Sequence, residues 1–386
     1  MKKTFRFLLN GLLALIFAVG LYSCEKDNPN EVDNDTLYES ILKQYVNTTV
    51  IPTYKALAEA ALEMRAANDA LKATPSDATM EAASQAWMKA RICWELSEGF
   101  LFGPVSEDAF NVDAHIDSWP LDLPSIQQSI INQNGNITGQ QAWNMDEGVI
   151  GFHTTEYLLY RDGQSRPIAD LSEAELKYLT AVTDALVWDC VLVYVSWAGL
   201  NNVSAEIRTV FNENPDIIAF YNSLPAYHNF GEKLTSKIDY PSWAAALEEI
   251  PEGALTIAEE VGATKIESPY VSRTTHDVES WYSWHSIDDY KNNIISIKNA
   301  YLGGISDATR TSVSLSNYIK TVDAQLDTDV KAKIEDCITK IEAMGTGGLS
   351  FYEVVRDQVN RTQVEAAVDA CLNLKALFAR VSDTIE

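Results

Sequence analysis

Apolar residues recur every three or four positions along most of this chain, and sustained alternation of apolar and polar residues is scarce. This periodicity is typical of amphipathic helices, so the sequence predicts an all-α protein. A body of roughly 350 residues exceeds what one core usually serves, so we expect two helical-bundle domains packed side by side. The polar region at 201–215 is the predicted boundary, which gives domains at 36–205 and 206–386.

Capping serines, prolines and glycines indicate where the helices begin and end. Ser172 and Ser350 each precede a glutamate by three residues, which predicts a capping box at a helix start. Pro52 predicts a break or kink, and 262–285 is expected to be irregular. The predicted helices span residues 36–73, 77–101, a short stretch from 125, 145–160, 173–199, 216–224, 242–261, 286–302, 308–326, 327–344 and 350–386.

The first 23 residues have the layout of an export signal, with basic residues before the apolar stretch Leu12–Val19. The segment Leu21–Cys24 resembles the lipobox of bacterial lipoproteins, which predicts that Cys24 is lipidated and that 24–35 is a polar tether. No later segment is expected to be apolar enough to cross a bilayer, so only the lipid should meet the membrane. We therefore expect an outer-membrane lipoprotein of the cell envelope.

The chain is strongly acidic, with a formal net charge of −26. Removal of the signal also removes three positive charges, which changes the net charge to −29. Nucleic acid is an unsuitable partner because phosphate binding needs a basic patch, and no cluster of lysine and arginine occurs. Cations and metal ions suit this charge better.

Besides Cys24 the chain has four cysteines, each beside apolar residues: Cys93, Cys190, Cys337 and Cys371. Free cysteine is commonly buried as a small apolar side chain, which is the main expectation here. A disulfide is plausible for Cys337 and Cys371, since consecutive predicted helices carry them. No CxxC pair suggests a zinc ribbon or a redox site.

His153 and Glu156 lie three residues apart in an apolar helical run, so both side chains share one helix face. Such a pair can bind one metal ion. Gly148 and Gly151 just before it predict close approach of another backbone or of a ligand. The alternative is a buried structural histidine whose hydrogen-bond acceptor is Glu156.

Arg91, Glu95 and Glu98 form a stripe on one predicted helix, at positions i, i+4 and i+7. A solvated or ion-paired face is the ordinary interpretation of such a stripe. Because Trp87 and Trp94 lie close by, we instead expect Glu98, and less firmly Glu95, to face the histidine motif across the bundle.

Two aspartates, Asp117 and Asp122, flank Trp119 in a predicted loop. These carboxylates either close a pocket or cap the next helix, and His115 adds a possible nitrogen ligand. The predicted metal ligands are His153, Glu156 and Glu98. The predicted supporting residues are Arg91, Glu95, Asp117, Trp119, Asp122 and Gly151.

Further segments occur in order around the histidine motif: Trp87–Phe100, Phe102–Pro104, Ile116–Asp122, Glu267–Tyr270 and Asn299–Gly303. With Gly151–Glu156 they resemble the imelysin-like family, which is named for an insulin-cleaving metallopeptidase and includes iron-regulated bacterial envelope proteins. The resemblance implies an all-helical fold of two related bundle domains, with the His-x-x-Glu segment near their junction. It also implies a role linked to iron or to metal binding.

The predicted function is a lipid-anchored envelope protein that binds a metal ion, or a metal-containing small ligand, and assists iron uptake without catalysis. One imidazole among hard oxygen ligands favours iron, with zinc possible, and iron-transport components are possible partners. A zinc-type metallopeptidase is an alternative, although neither His-Glu-x-x-His nor its inverted form occurs. A third possibility is an interaction scaffold in which the polar pair is only structural.

Overall fold

Helices form nearly all the regular structure of the computed structural model, which describes residues 34–106 and 108–385. One hairpin, β1 (Tyr160–Arg161) with β2 (Gln164–Ser165), is antiparallel. The all-α prediction is confirmed. The helices are α1 (Asn34–Tyr45), α2 (Ile51–Ala73), α3 (Asp77–Glu95), α4 (Val112–Asp117), α5 (Leu123–Gln133), α6 (Gly139–Trp143), α7 (Gly151–Leu159), α8 (Glu173–Ala198), α9 (Ala205–Phe211), α10 (Pro215–Ser223), α11 (Phe230–Leu234), α12 (Trp243–Leu247), α13 (Glu249–Glu259), α14 (Ser268–Ser272), α15 (Ser286–Leu302), α16 (Leu315–Val322), α17 (Ala324–Met344), α18 (Phe351–Asp357) and α19 (Arg361–Ser382).

The predicted signal and the lipidation residue Cys24 lie outside the described residues. The predicted tether ends at residue 35, but α1 already begins at Asn34. The first described turn is therefore helical.

Capping serines start two long elements of the chain as predicted. Ser172 Oγ accepts a hydrogen bond from the Glu175 backbone, and the Glu175 carboxylate accepts one from the Ser172 backbone. Ser350 and Glu353 form the same reciprocal pair. Each pair satisfies two backbone donors that have no partner within the helix.

Two helices that were expected to break instead continue through π-helical segments. Val46–Val50 joins α1 to α2, and Pro52 lies in the first turn of α2, where its missing N–H costs little. Glu260–Glu267 likewise joins α13 to α14 and extends the helix into region 262–285, which was expected to be irregular. A π segment holds one extra residue per turn and changes which side chains face inward.

The helices form two groups that lie side by side. In the first group α2 packs against α3 and α8, and α7 packs against the same two helices. In the second group α13 and α15 both pack with α17 or α19. The groups meet where α3 contacts α15 and where the 3₁₀ turn Glu98–Phe100 contacts α13. Residues 35–386 form one compact unit, and the domain boundary at 205 stays a prediction.

Helix α8 is long and apolar enough to cross a membrane, so the expectation that no segment after the signal would be so apolar is wrong. However, 94% of its most apolar window is buried among the other elements. A helix that is surrounded on all sides by protein has no face in water, so, like a membrane-spanning helix, it is apolar on every face.

All four cysteines among the described residues are free. Cys337 on α17 and Cys371 on α19 are both buried, and their thiols interact with each other. This contact and burial raise the pKa of the Cys337 thiol. The pair that was considered for a disulfide is thus adjacent and unbridged in this structure.

Candidate functional site

Gly151 brings the histidine motif against helix α4. Its φ is +79°, a conformation that favours glycine, and a Cβ at this position would lie 2.5 Å from the Ile116 carbonyl oxygen and 2.8 Å from that of His115. The predicted close backbone approach is therefore observed. It places Asp117, at the end of α4, beside His153 in the first turn of α7.

His153 is fully buried between two carboxylates. Its Nδ1 lies 3.1 Å from Glu156 Oε2, and its Nε2 lies 3.2 Å from Asp117 Oδ1. The Nε2 contact lacks hydrogen-bond geometry, so this nitrogen has no hydrogen-bond partner. Burial lowers the pKa of His153, but Asp117 and Glu156 outweigh it and raise the pKa to about 9. A metal cation would compete with a proton for Nε2.

Both carboxylate oxygens of Glu156 are occupied. Oε2 faces His153 Nδ1, while Oε1 accepts hydrogen bonds from the Tyr282 and Ser283 backbones and from Ser283 Oγ at 2.7–3.1 Å. Glu156 thus fixes the imidazole and anchors the segment before α15. Its predicted role as a metal ligand stays a prediction.

The predicted stripe on α3 is a buried ion-pair network, not a solvated face. The Arg91 guanidinium is fully buried and contacts Asp117, Glu95 at 2.5 Å and Glu279 at 2.7 Å, with Asp289 at 4.0 Å. Burial opposes the charge, but these carboxylates raise the pKa of Arg91. Arg91 therefore stabilises several carboxylates that would otherwise be costly to bury.

Glu95 and Glu98 have partners other than the histidine among the described residues. Glu95 pairs with Arg91, and its carboxylate accepts a hydrogen bond from the Asn293 amide. The nearest cation to Glu98 is the Lys265 ammonium, 3.7 Å from Oε2. Burial raises the pKa of both carboxyl groups. The ligand role of Glu98 stays a prediction, since no contact between Glu98 and His153 occurs among the described residues.

Asp117, His153 and Glu279 form a group whose ligand atoms all lie within 4.8 Å of one another. The Arg91 guanidinium and the His153 imidazole hold the pKa of Asp117 below its usual range, despite burial. Glu279 Oε2 has no hydrogen-bond partner. One imidazole and two carboxylates are a suitable set for iron or zinc, so these side chains fit a metal ion.

A cavity of about 260 Å³ lies in front of this group. Asp117 and Glu279 form part of its wall, and Glu98, Asp277 and Lys265 contribute further charges. Trp119 also lines it, with its ring centroid 5.0 Å from that of His153 and its Nε1 donating to the His276 carbonyl.

Asp122 does not join the site. Its carboxylate accepts a hydrogen bond from the Ser125 backbone and caps α5. Of the two roles considered for this residue, the structure shows the helix cap.

His115 lies in a different cavity, of about 340 Å³. Its Nδ1 is 3.3 Å from Oδ2 of the buried Asp189, and Trp143 Nε1 donates to the other oxygen of that carboxylate. Phe110 and Phe220 line the same cavity. His115 is therefore not brought to the His153 group.

Sequence reasoning missed Glu279 and Lys265, both from the region that was expected to be irregular. Ser280 and Trp284 adopt positive φ (50° and 62°), and the Trp284 backbone donates a hydrogen bond to the Ser280 carbonyl, so Glu279 and the donors to Glu156 flank or lie within one tight turn. No periodic pattern encodes such a turn. The only available signal was an acidic residue beside an aromatic cluster.

Comparisons with known proteins identify the family and the fold. A family model described as Imelysin, of the peptidase M75 class, matches residues 50–380. A relative named iron-regulated protein A, from Synechococcus elongatus, is 26% identical over 266 residues, which cover 69% of this chain and 65% of the relative. The match thus spans slightly less than two thirds of that relative's length.

Two crystal structures show a similar fold. A putative iron-regulated protein A precursor from Parabacteroides distasonis has a TM-score of 0.77 and 26% identity, with 91% of this chain and 96% of that chain covered. An imelysin-like protein from Psychrobacter arcticum has a TM-score of 0.62 and 15% identity, with 89% and 93% covered.

Proposed function

Because this chain belongs to the imelysin family, we propose that it is an envelope protein that binds a metal ion and assists iron uptake without catalysing a reaction. The metal ion is cargo in this proposal. Relatives named for iron regulation support the link to iron.

The observation that carries the proposal is the position of the buried His153 Nε2, which has no hydrogen bond and lies 3.2 Å from a carboxylate oxygen of Asp117. A buried imidazole nitrogen without a hydrogen bond, beside carboxylate oxygens, is a suitable ligand for a cation. Asp117 and Glu279 lie close enough to share one ion with it. We assign these three residues as the metal ligands.

Glu156 has an orienting role in this assignment. A carboxylate that accepts from Nδ1–H fixes the tautomer in which Nε2 offers its lone pair to a metal. The hydrogen bonds to Glu156 from Tyr282 and Ser283 hold that carboxylate in place. Arg91 contacts both Asp117 and Glu279, which keeps these two carboxylates close together.

Iron is favoured over zinc because the ligands are mainly hard oxygen atoms, and no thiolate belongs to the group. Export by residues 1–23 and lipidation at Cys24 would place the protein on the outer membrane. Components of an iron-transport system are then the expected partners.

The test is metal binding by the purified chain of residues 25–386, which lacks the predicted signal and lipidation residue. Wild type, His153→Ala and a control, His228→Ala, are titrated with Fe²⁺ without oxygen and with Zn²⁺, and folding is checked by circular dichroism. His228 is a suitable control because it stacks on Tyr221, away from the site. We expect one ion per chain in wild type and control, and none in His153→Ala.

Other outcomes would separate the alternatives. Peptide cleavage that disappears in His153→Ala would establish the metallopeptidase. A chain that binds no metal, with His153→Ala only less stable, would leave a scaffold in which the histidine is structural.

A further inference from the structure

Lys265 is a largely buried cation with no short contact. Its side chain is 11% exposed, and its Nζ lies 3.3 Å from Glu279, 3.4 Å from the Asn293 side-chain oxygen, 3.6 Å from Glu260 and 3.7 Å from Glu98. The ammonium thus lies among several acceptors and is held closely by none of them.

Arg91, the other cation of this region, is held differently. Its contacts with Glu95 and Glu279 are 2.5 and 2.7 Å long, and its planar group also contacts the carboxylate of Asp117. Arg91 is therefore a fixed part of the framework. A lysine has a compact charge on a flexible stem, so it can move with little change in the surrounding backbone.

The backbone at Lys265 is also unusual. Lys265 belongs to the π segment Glu260–Glu267, and such segments occur frequently at functional sites. Glu260, on the same segment, is the one carboxylate partner of Lys265 that is substantially exposed, at 44% of its side chain. A path for the ammonium away from Glu279 thus leads towards Glu260 and solvent.

Carboxylates continue from this point towards the surface. The cavity lined by Asp117 and Glu279 adjoins a neighbouring cavity of about 350 Å³. The residues that line both cavities are Glu98, Leu101, Asp113 and Glu260. Glu249 and Glu252 line that second cavity. An acidic passage attracts cations and repels anions, so it suits a hydrated metal cation better than an anionic metal chelate.

We propose that Lys265 is an internal counter-ion of the metal site. Its ammonium balances Glu279 and Glu98 in the metal-free protein, and it withdraws towards Glu260 when a metal cation binds. Lys265 therefore lowers the affinity for the ion and stabilises the empty site, which makes loading reversible. This inference rests on the proposed function and adds that the cargo enters as a free cation.

The first test compares wild type with Lys265→Met, which removes the charge and keeps most of the stem. Mn²⁺ is the probe, because it is stable in air and prefers oxygen ligands. We expect Lys265→Met to bind Mn²⁺ about tenfold more tightly, since a repelling charge beside the ligands is gone. Its metal-free melting temperature should fall, and Mn²⁺ should raise that temperature more than in wild type.

The matched control is Lys177→Met, in which a half-buried lysine of α8 loses its ion pair with Glu173. Its Mn²⁺ affinity should equal that of wild type. Lys265→Arg, which keeps the charge, should show no gain in affinity.

A second measurement uses only the wild-type chain, so it remains decisive if Lys265→Met does not fold. Acetic anhydride labels exposed lysines, and mass spectrometry quantifies the label at Lys265. Saturating Mn²⁺ should increase labelling of Lys265 several-fold and leave Lys177 unchanged.

Wild type that binds Mn²⁺ without any increase in Lys265 labelling, or a folded Lys265→Met that binds no more tightly, would overturn the counter-ion role. Wild type that binds none of Mn²⁺, Fe²⁺ and Zn²⁺ would instead contradict the proposed function itself.

Discussion

His153 and His115 are both oriented by a buried carboxylate, but their surroundings differ. Glu156 lies 3.1 Å from Nδ1 of the first, and Asp189 lies 3.3 Å from Nδ1 of the second. Helix α4 connects the two regions, because it carries His115 and also Asp117, which contacts His153.

The two histidines differ in what surrounds the ring nitrogen that does not face the orienting carboxylate. The side chain of His153 is fully buried, and Asp117 and Glu279 lie within reach of its Nε2. The side chain of His115 is 23% exposed and lies edge-on to the Trp143 ring. A histidine–carboxylate pair therefore sets only the orientation of an imidazole. In the proposed assignment, the further carboxylates at Nε2 are what make the His153 region a cation site.

The largest predicted effect is on metal binding by the histidine variants. His153→Ala removes the nitrogen ligand and should weaken Fe²⁺ or Mn²⁺ binding at least roughly 100-fold, which exceeds the usual effect of losing a supporting residue. His115→Ala should leave affinity within about threefold of wild type. Calorimetric titration measures both. Equal losses in the two variants would mean that they act through a shared change in α4.

Glu279→Gln tests the ligand that the sequence did not reveal. The amide keeps the shape of the side chain but is a poor metal ligand, so affinity should fall about ten- to 100-fold, as for a key residue of a metal site. The matched variant is Glu147→Gln in the His115 cavity, which should bind metal normally. Unchanged affinity in Glu279→Gln would remove Glu279 from the ligand set.

A smaller effect is expected from the two orienting carboxylates. In Glu156→Gln the amide can donate to Nδ1, which moves the imidazole proton to Nε2 and blocks metal binding there. We expect roughly tenfold weaker binding. Asp189→Asn should change metal affinity little, although each variant should lose about 1–3 kcal/mol of stability because a buried hydrogen-bonded group is disturbed. Chemical denaturation and titration of both variants give the two quantities.

Much of the fold follows from local patterns in the sequence. The capping serines Ser172 and Ser350 begin helices as predicted, and Ser286–Leu302 is helical over the predicted range. These features depend on residues within one or two turns of each other, so periodicity and capping chemistry encode them.

The site is only partly encoded in this way. The His153–Glu156 pair and the need for Gly151 are local, and both were predicted. Asp117 was expected to support the site, but it lies beside the imidazole because the close approach at Gly151 brings α4 inward. Glu279 comes from a loop with positive φ at Ser280, and such long-range placement depends on packing that no single segment specifies.

The pH dependence of the metal-free protein should also distinguish the two histidines. His153 has a pKa of about 9 in the folded protein and an ordinary value of 6.5. Its stabilising contribution is therefore fully present below pH 6.5 and is lost as pH rises through about 9. Denaturation with a chelator present, at intervals from pH 6 to 9.5, should show stability falling over this range, and the fall should be shallower in His153→Gln.

The pKa of His115 is raised as well, because Asp189 outweighs burial. Since His115 is partly exposed and faces one carboxylate, His115→Gln should change the slope of stability against pH less than His153→Gln does. A larger change in His115→Gln would show that the charge interaction of His115 with Asp189 is the stronger one.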